Sequence, residues 1–257
     1  MFRLIRDKNA WDFAAFGKHP AAGDYLSLGA VTPLLKGFSA WMEKGYSLVE
    51  ADKRPQNGLL WRFWAKGPNG KLICGILKNS HDKHGRPFPL MIAGEGRVPD
   101  SAKDWDLIPF ACERTWQILT LISSKDSNSI KNLKRVISRV KGPINQWESY
   151  REKREQVRKL EILTVKPGSN SDFMNKMNNV DGLSRKEQFS LWIDVGTPED
   201  CLIPLTKFLV LLKNRSKIEP ATVFIGGNEN RNRLLFLKRS LMMDDFKTLW
   251  VSHPEEV

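Results

Sequence analysis

The sequence of 257 residues contains few cysteines and no long apolar run. Its three cysteines, Cys74, Cys112 and Cys201, are far apart and odd in number, whereas disulfide frameworks use even, closely spaced sets. None of them forms a Cys-x-x-Cys pair, a frequent zinc-binding unit. No segment approaches the roughly 18 apolar residues of a membrane-spanning helix, and the N-terminus lacks the apolar stretch of a signal peptide. These absences predict a cytoplasmic protein with reduced, buried thiols and no membrane insertion.

Acidic residues are also scarce relative to basic ones. The chain has 29 Asp and Glu against 41 Lys and Arg, which gives a net charge of +12. Residues 131–166 hold eleven of the basic residues and four acidic ones. A stretch like this can bind phosphates, anionic lipid or an acidic protein partner, and it can equally be a solvated helix face. Because no helix-turn-helix, zinc-finger or ribonucleoprotein motif is visible, a nucleic-acid-binding protein is the weaker alternative.

Strand patterns dominate the first hundred residues. The turn signal Gly67-Pro68-Asn69-Gly70 separates two of them and predicts a hairpin. A helix is predicted from Thr32 to about Ala51, because apolar residues recur there at helical spacing and Thr32-Pro33 is a good helix start. The predicted strands are 11–17, 59–65, 71–77 and 88–93.

Helices and strands alternate in the remaining sequence. A long helix is predicted from Ser101, since Ser101 to Asp104 resembles a capping box, and a basic helical stretch follows from about 129 to 163. The last third predicts, in order, strand 189–195, helix 199–213, strands 222–225 and 234–237, and helix 244–251. The whole order predicts an α/β (α+β) protein with a central, largely antiparallel or mixed sheet flanked by helices.

Two loops rich in glycine and proline lie in the N-terminal half. Asp24 and Ser80 are natural turn and capping residues, which bond nearby backbone amides. Arg86 is placed to form a bidentate pair with Asp82 or Asp24 and so to hold the two loops together. These features predict an architectural role for the loops or a contact surface for a partner.

The second loop also contains residue types that are used in catalysis. Ser80, His81 and Asp82 are the residues of a hydrolase triad, but adjacent side chains point in different directions and a triad needs them to converge. A metal-binding hydrolase centred on His81, Asp82 and His84, with His19 as a further ligand, is a second alternative, although no specific ligand spacing is met. No catalytic, cofactor-binding or metal-binding residue is therefore predicted.

Two motifs carry a family resemblance. The first, GKHPAAGDYLSLG at residues 17–29, is similar to Gly-Lys-x-Pro-x-x-Gly-Asp-Phe, with Tyr25 in place of Phe. The second, GILKNSHDKHGRPFPL at residues 75–90, is similar to Gly-x-x-x-x-Ser-x-Asp-x-x-Gly-Arg-x-Phe-Pro-Leu, with Asn79 where a Pro is common. Both resemble the signatures of the TagF (ImpM-like) family, which is associated with type VI secretion.

The resemblance implies a regulator and not an enzyme. TagF-like proteins are regarded as post-translational repressors of type VI secretion that act through a scaffold protein with a forkhead-associated domain, and no cofactor is attached to the family. The resemblance predicts a TagF-like core at 1–125, followed at 126–257 by the basic segment and the C-terminal strands and helices, packed on the same sheet. The motif residues that form the candidate partner surface are Gly17, Lys18, Pro20, Gly23, Asp24, Ser80, Asp82, Gly85, Arg86, Phe88 and Pro89.

Overall fold

An eight-stranded sheet forms the centre of the protein. The computed structural model describes residues 11–55, 58–124, 129–159, 179–193, 202–215, 219–228 and 232–251. The strands are β1 (Asp12–Gly17), β2 (Leu26–Gly29), β3 (Leu60–Lys66), β4 (Leu72–Lys78), β5 (Leu90–Gly96), β6 (Gln188–Ile193), β7 (Thr222–Gly227) and β8 (Asn232–Leu237). Their order is β2-β1-β5-β4-β3-β7-β8-β6, and every neighbouring pair is antiparallel. The predicted antiparallel sheet is confirmed.

Helices cover both faces of this sheet. They are α1 (Pro33–Ser47), α2 (Ile108–Ser124), α3 (Ile130–Ile137), α4 (Trp147–Lys159), α5 (Val180–Ser184), α6 (Leu202–Arg215) and α7 (Met243–Trp250). α1 and α7 pack on one face and the other five on the opposite face. Because both faces are covered, the central strands are apolar on both sides, as in the LICGILK sequence of β4. In the described part of the chain, no helix combines the length and hydrophobicity that crossing a bilayer requires.

The helix starts follow local rules at α1 and depart from the prediction at α2. Thr32 caps α1 by accepting a hydrogen bond from the Leu35 N–H at 3.3 Å, and Pro33 occupies the first turn. The predicted start of α2 at Ser101 is wrong, because residues 101–104 form turns and a short 3-10 helix (Trp105–Leu107) precedes Ile108. The Asp104 carboxylate does not cap the helix, since it accepts hydrogen bonds from α4 instead.

Two further differences concern β2 and the basic stretch. β2 was not predicted, and it pairs along the outer edge of β1. The basic stretch is two helices, α3 and α4, and not one continuous helix. Cys74 and Cys112 are buried free thiols, as predicted. Cys201 and the part of the predicted basic helix beyond Lys159 lie outside the described residues.

A buried ion-pair cluster joins the start of α2 to α4 and α6. The side chains of Asp104 and Asp106 are almost completely buried. Arg154 Nε lies 2.7 Å from Asp106 Oδ2, and Lys213 Nζ lies 2.5 Å from Asp106 Oδ1. Arg151 and Arg154 both donate to Asp104, at 2.6 and 2.7 Å. Burial alone raises the pKa of Asp104, but these hydrogen bonds and the arginine charges outweigh it and lower that pKa.

We expect Asp106→Asn to destabilise the fold, because it leaves the half-buried Arg154 and Lys213 with less compensating charge. The free energy of unfolding should fall by about 3 kcal/mol, as for other broken buried pairs. Urea unfolding with an unchanged m-value would measure this difference. The control is Asp244→Asn, which removes a solvent-exposed pair with Lys247 at 3.1 Å and should cost less than about 1 kcal/mol. Equal losses for the two variants would contradict a special role of the buried cluster.

Candidate functional site

Both sequence motifs fold into one surface, the paired loops, defined as residues 18–25 between β1 and β2 and residues 79–89 between β4 and β5. The loops meet because β1 and β5 are neighbours, with Gly17 opposite Leu90. Backbone hydrogen bonds tie them together: the Lys18 N–H donates to the Pro89 carbonyl at 3.2 Å, and the Lys83 N–H donates to the Ala22 carbonyl at 2.8 Å. The two signatures, which are separated by some fifty residues in the sequence, are therefore one structural unit.

Asp82 is the centre of this unit. Its side chain has no solvent-accessible surface, and its carboxylate receives four hydrogen bonds or ion pairs. Oδ2 lies 3.0 Å from Lys18 Nζ and 2.7 Å from Arg86 Nε. Oδ1 accepts the backbone N–H groups of His84 at 2.9 Å and of Arg86 at 3.1 Å. Burial by itself raises the pKa of Asp82, but the hydrogen bonds from Lys18, from the two amides and from the Arg86 side chain hold that pKa well below its usual range.

Arg86 links the second loop to the first. The predicted ion pair with Asp82 is present, but it is not bidentate, because Nε and Nη2 of the guanidinium serve different partners. Nε binds the Asp82 carboxylate, while Nη2 donates to the Gly23 carbonyl at 2.8 Å and lies 3.6 Å from Asp24 Oδ2. Arg86 therefore joins a buried carboxylate to the exposed edge of the neighbouring loop.

Gly17 lies where the two loops approach most closely. Its φ angle is +114°, in the region that favours glycine, and an added Cβ would lie 1.9 Å from the Pro89 carbonyl oxygen. Any larger residue would push β1 away from the strand that follows the second loop. The glycine of the first motif is thus explained by backbone packing.

Aromatic residues pack the paired loops against α1. Phe88 packs edge-on against Tyr25 and Tyr46, with ring centroids 5.6 and 4.8 Å apart. The Tyr25 hydroxyl donates to Glu43 at 2.6 Å and lies 2.8 Å from the Ser39 hydroxyl. Burial and then the Glu43 carboxylate raise the pKa of Tyr25. Tyr25 therefore supplies a polar contact to α1 that the Phe of the resembling motif would lack.

The predicted site residues differ in exposure. Gly17, Asp82 and Pro89 are buried, and Lys18, Pro20, Gly23, Ser80 and Phe88 are half-buried; Asp24, Gly85 and Arg86 are exposed. Lys83 and His84 are also exposed. Together with Asp24, Gly85 and Arg86 they form the exposed edge of the paired loops, which we call the rim. The exposed and half-buried members can be touched directly by a partner, and the buried ones hold them in position.

A polar cleft of about 530 Å³ opens beside the second loop. Lys78 is half-buried in it, with Nζ 3.4 Å from the Ser123 carbonyl, and burial lowers the pKa of its ammonium group. The cleft is lined by Gly58, Leu59, Leu60, Lys78, Asn79, Ser80, His81, Gly85, Pro87, Ser123 and Ser124. Sequence reasoning missed Leu59 and Ser123 because no local pattern marks them, and it missed Lys78 because the second motif specifies no residue at that position.

Comparison with protein families identifies the unit that contains this site. A family model of the TagF N-terminal domain, which is type VI secretion system-associated, matches residues 14–139. Residues 14–139 are therefore a TagF N-terminal domain. The matched span includes both paired loops, α1, α2 and α3, so the family assignment made from the two motifs is confirmed. No curated protein matches the chain.

Among solved structures, the chain is similar to PA0076 from Pseudomonas aeruginosa PAO1, known from a crystal structure. The TM-score is 0.48 and the sequence identity is 16%. The similarity covers 95% of this chain and 96% of that one.

The paired loops of this TagF domain do not bring the catalytic residue types together. His81 is exposed, and its Nδ1 lies 2.8 Å from the backbone carbonyl of Asp82 and not from the carboxylate. Both Asp82 oxygens are engaged by cationic groups and amides, while Nδ1 of His19 accepts the Ala21 N–H at 3.1 Å. Within the residues that the structure describes, no three His, Cys, Asp or Glu side chains are grouped so that they could hold a metal ion.

We expect Asp82→Asn to change how stability depends on pH. The folded-state pKa of Asp82 is below the unfolded value of about 3.9, so the ionised carboxylate stabilises the fold above about pH 4 and loses this effect as pH falls through the folded pKa. The variant should be less stable than the wild type at pH 7, and its stability should fall less steeply below pH 4. Urea unfolding at a series of pH values would measure both effects.

The control for this measurement is Asp24→Asn. The Asp24 carboxylate is largely exposed and lies 3.6 Å from Arg86. Its variant should follow the wild-type pH curve closely. Parallel curves for Asp82→Asn and the wild type would contradict the proposed role of the buried carboxylate.

Proposed function

We propose that this TagF-family chain is a cytoplasmic, non-enzymatic regulator of type VI secretion, which represses the system after translation by binding a scaffold protein with a forkhead-associated domain. The observation that carries the proposal is the TagF N-terminal domain at residues 14–139, whose two signature motifs form a single surface. No cofactor is required for this role. Other secretion components are alternative partners for the same surface.

The paired loops are suited to binding because their exposed residues are held in place by buried ones. Asp82 fixes Lys18 and Arg86 on one carboxylate, so Arg86 does not need to be ordered when a partner arrives. A preorganised surface binds with a smaller entropic cost than a flexible one. The rim carries charges of both signs, Asp24 against Lys83 and Arg86, and therefore favours a partner face with complementary polar groups.

The cleft beside the second loop forms a recess in this surface. It contains the half-buried ammonium group of Lys78, the hydroxyl of Ser80 and the apolar side chains of Leu59 and Leu60. A protruding side chain of the partner would fill it, while the rim residues make the surrounding polar contacts. In protein interfaces the rim is likewise polar.

We expect the wild-type protein to retain the forkhead-associated scaffold in a pull-down from cells that express a type VI secretion cluster, washed at moderate salt and read by mass spectrometry. With the purified scaffold, the double variant Lys83→Glu/His84→Glu should bind about tenfold more weakly, because it places negative charge on the exposed rim without disturbing the buried Asp82 contacts. Calorimetric titration would measure the change.

A control variant, the pull-down and a deletion decide the proposal. Lys159→Glu, at an exposed position on α4, is the control and should leave scaffold affinity unchanged. Equal affinity for all variants would place the interface elsewhere, and absence of the scaffold from the pull-down would refute it as the partner. Deletion of the protein should increase secretion through the system, and a decrease would show that the chain assists assembly.

A further inference from the structure

Within the described part of the basic stretch, residues 131–159, some basic residues pair with buried carboxylates and others are exposed. On α4, Arg151 and Arg154 turn inward to the buried carboxylates of Asp104 and Asp106. Residues 129–147 are different, because they contain five basic residues and no acidic one. All five are exposed: Lys131, Lys134, Arg135, Arg139 and Lys141. In the described part of the chain, exposed positive charge is therefore concentrated on α3 and the segment that follows it.

An apolar groove lies beside this charge, between α2 and residues 136–144. We call it the α2–α3 groove. Its volume is about 430 Å³, and its apolar lining is provided by Ile118, Ile122, Val136, Val140 and Ile144. Ile118, Val136, Val140 and Ile144 are only half-buried. Along α2, Leu121 lies next to Ile118 on the same side of the helix and leaves 61% of its surface exposed.

Cationic residues line the rim of this groove. Arg114 comes from α2, and Arg139 and Lys141 come from the segment after α3. Among the described residues that line the groove, none is acidic. The segment is firmly placed, because the Ile144 N–H donates to the Ala111 carbonyl at 3.0 Å and the Thr115 hydroxyl donates to the Lys141 carbonyl at 3.3 Å. An apolar floor with a positive rim is complementary to a ligand that is apolar on one side and negatively charged on its flanks.

We infer that the α2–α3 groove docks an acidic amphipathic helix of a protein partner. The apolar face of that helix packs on Ile118, Val136 and Val140, and its flanking carboxylates pair with Arg114, Arg139 and Lys141. Single-stranded nucleic acid fits this surface less well, since no aromatic side chain among the described lining residues offers a base a stacking platform. The site is separate from the paired loops, so it does not depend on the scaffold as partner.

The probe is a fluorescently labelled synthetic peptide of about 16 residues, with leucines on one helical face and glutamates on the others. We expect its anisotropy to rise on titration with the full-length protein, with micromolar affinity that weakens as salt increases. A peptide of the same composition, with the leucines distributed around the helix, should bind at least about tenfold more weakly. The comparison separates apolar docking from attraction of charge alone.

Variants locate the site on the protein. Arg139→Glu should weaken binding of the amphipathic peptide by about tenfold or more, because it replaces an attractive rim charge by a repulsive one. Lys159→Glu makes the same change outside the groove and should have a small effect. Both positions are exposed, so circular dichroism should show an unchanged fold.

Each contrary result overturns the inference. Equal binding of the two peptides would show attraction by charge without a groove, and equal effects of the two variants would place the site elsewhere. Tighter binding of a DNA duplex, with loss of the peptide in competition, would assign this surface to nucleic acid. No binding of the amphipathic peptide up to about 1 mM would mean that the groove is not a docking site for such helices.

Discussion

The buried carboxylate of Asp82 determines how the TagF motif residues are arranged. A fully desolvated negative charge is costly unless it is paired and hydrogen-bonded, and here Lys18, Arg86 and two backbone amides satisfy it. Lys18 comes from the first motif and Arg86 from the second. Satisfying one carboxylate therefore brings two distant loops together, and the exposed residues of each loop take their positions from this contact.

Other buried carboxylates in the protein are also satisfied by groups from distant elements. Asp106 receives Arg154 from α4 and Lys213 from α6, so it connects the TagF domain to segments that follow it in the chain. Glu95 accepts the Thr32 hydroxyl at 2.7 Å and Lys71 Nζ at 2.6 Å, linking the start of α1 to the sheet. In this protein, which has an excess of basic residues, the few buried carboxylates form ion pairs with basic side chains from distant elements. The cations that find no such partner remain at the surface, as on α3.

Sequence reasoning predicted those elements whose causes are local. The hairpin at 67–70 follows from its turn residues, and the strands and helices of the last third follow from their apolar periodicity. β2 was missed because four residues give too short a pattern to distinguish from a loop. The start of α2 was misplaced because the carboxylate of Asp104 looks like a capping group in sequence, whereas in the fold it is bound by arginines 47 and 50 residues away.

In the candidate site too, the features with local causes were predicted and those that depend on distant contacts were not. A pairing of Arg86 with Asp82 or Asp24 was predicted from their opposite charges, and Asp82 is the closer partner in the structure. The full burial of Asp82 and the contribution of Lys18 were not predicted, because they depend on β1 lying next to β5. The cleft at Lys78 was not predicted, because it forms between the start of β3, the second loop and the end of α2. Likewise, the charge of residues 131–166 was visible in sequence, but the inward direction of Arg151 and Arg154 required the position of Asp104 and Asp106.

The two proposed surfaces differ in how they recognise a partner. The paired loops present mixed charges on a rigid polar rim, which favours specificity over affinity. The α2–α3 groove presents half-buried aliphatic side chains within a positive rim, which supplies affinity through burial and faster association through charge. One partner that occupied both surfaces would bind far more tightly than either surface allows, since the second contact becomes intramolecular. Two different partners would instead be joined by this protein, and a protein with two such sites can bring one component to another.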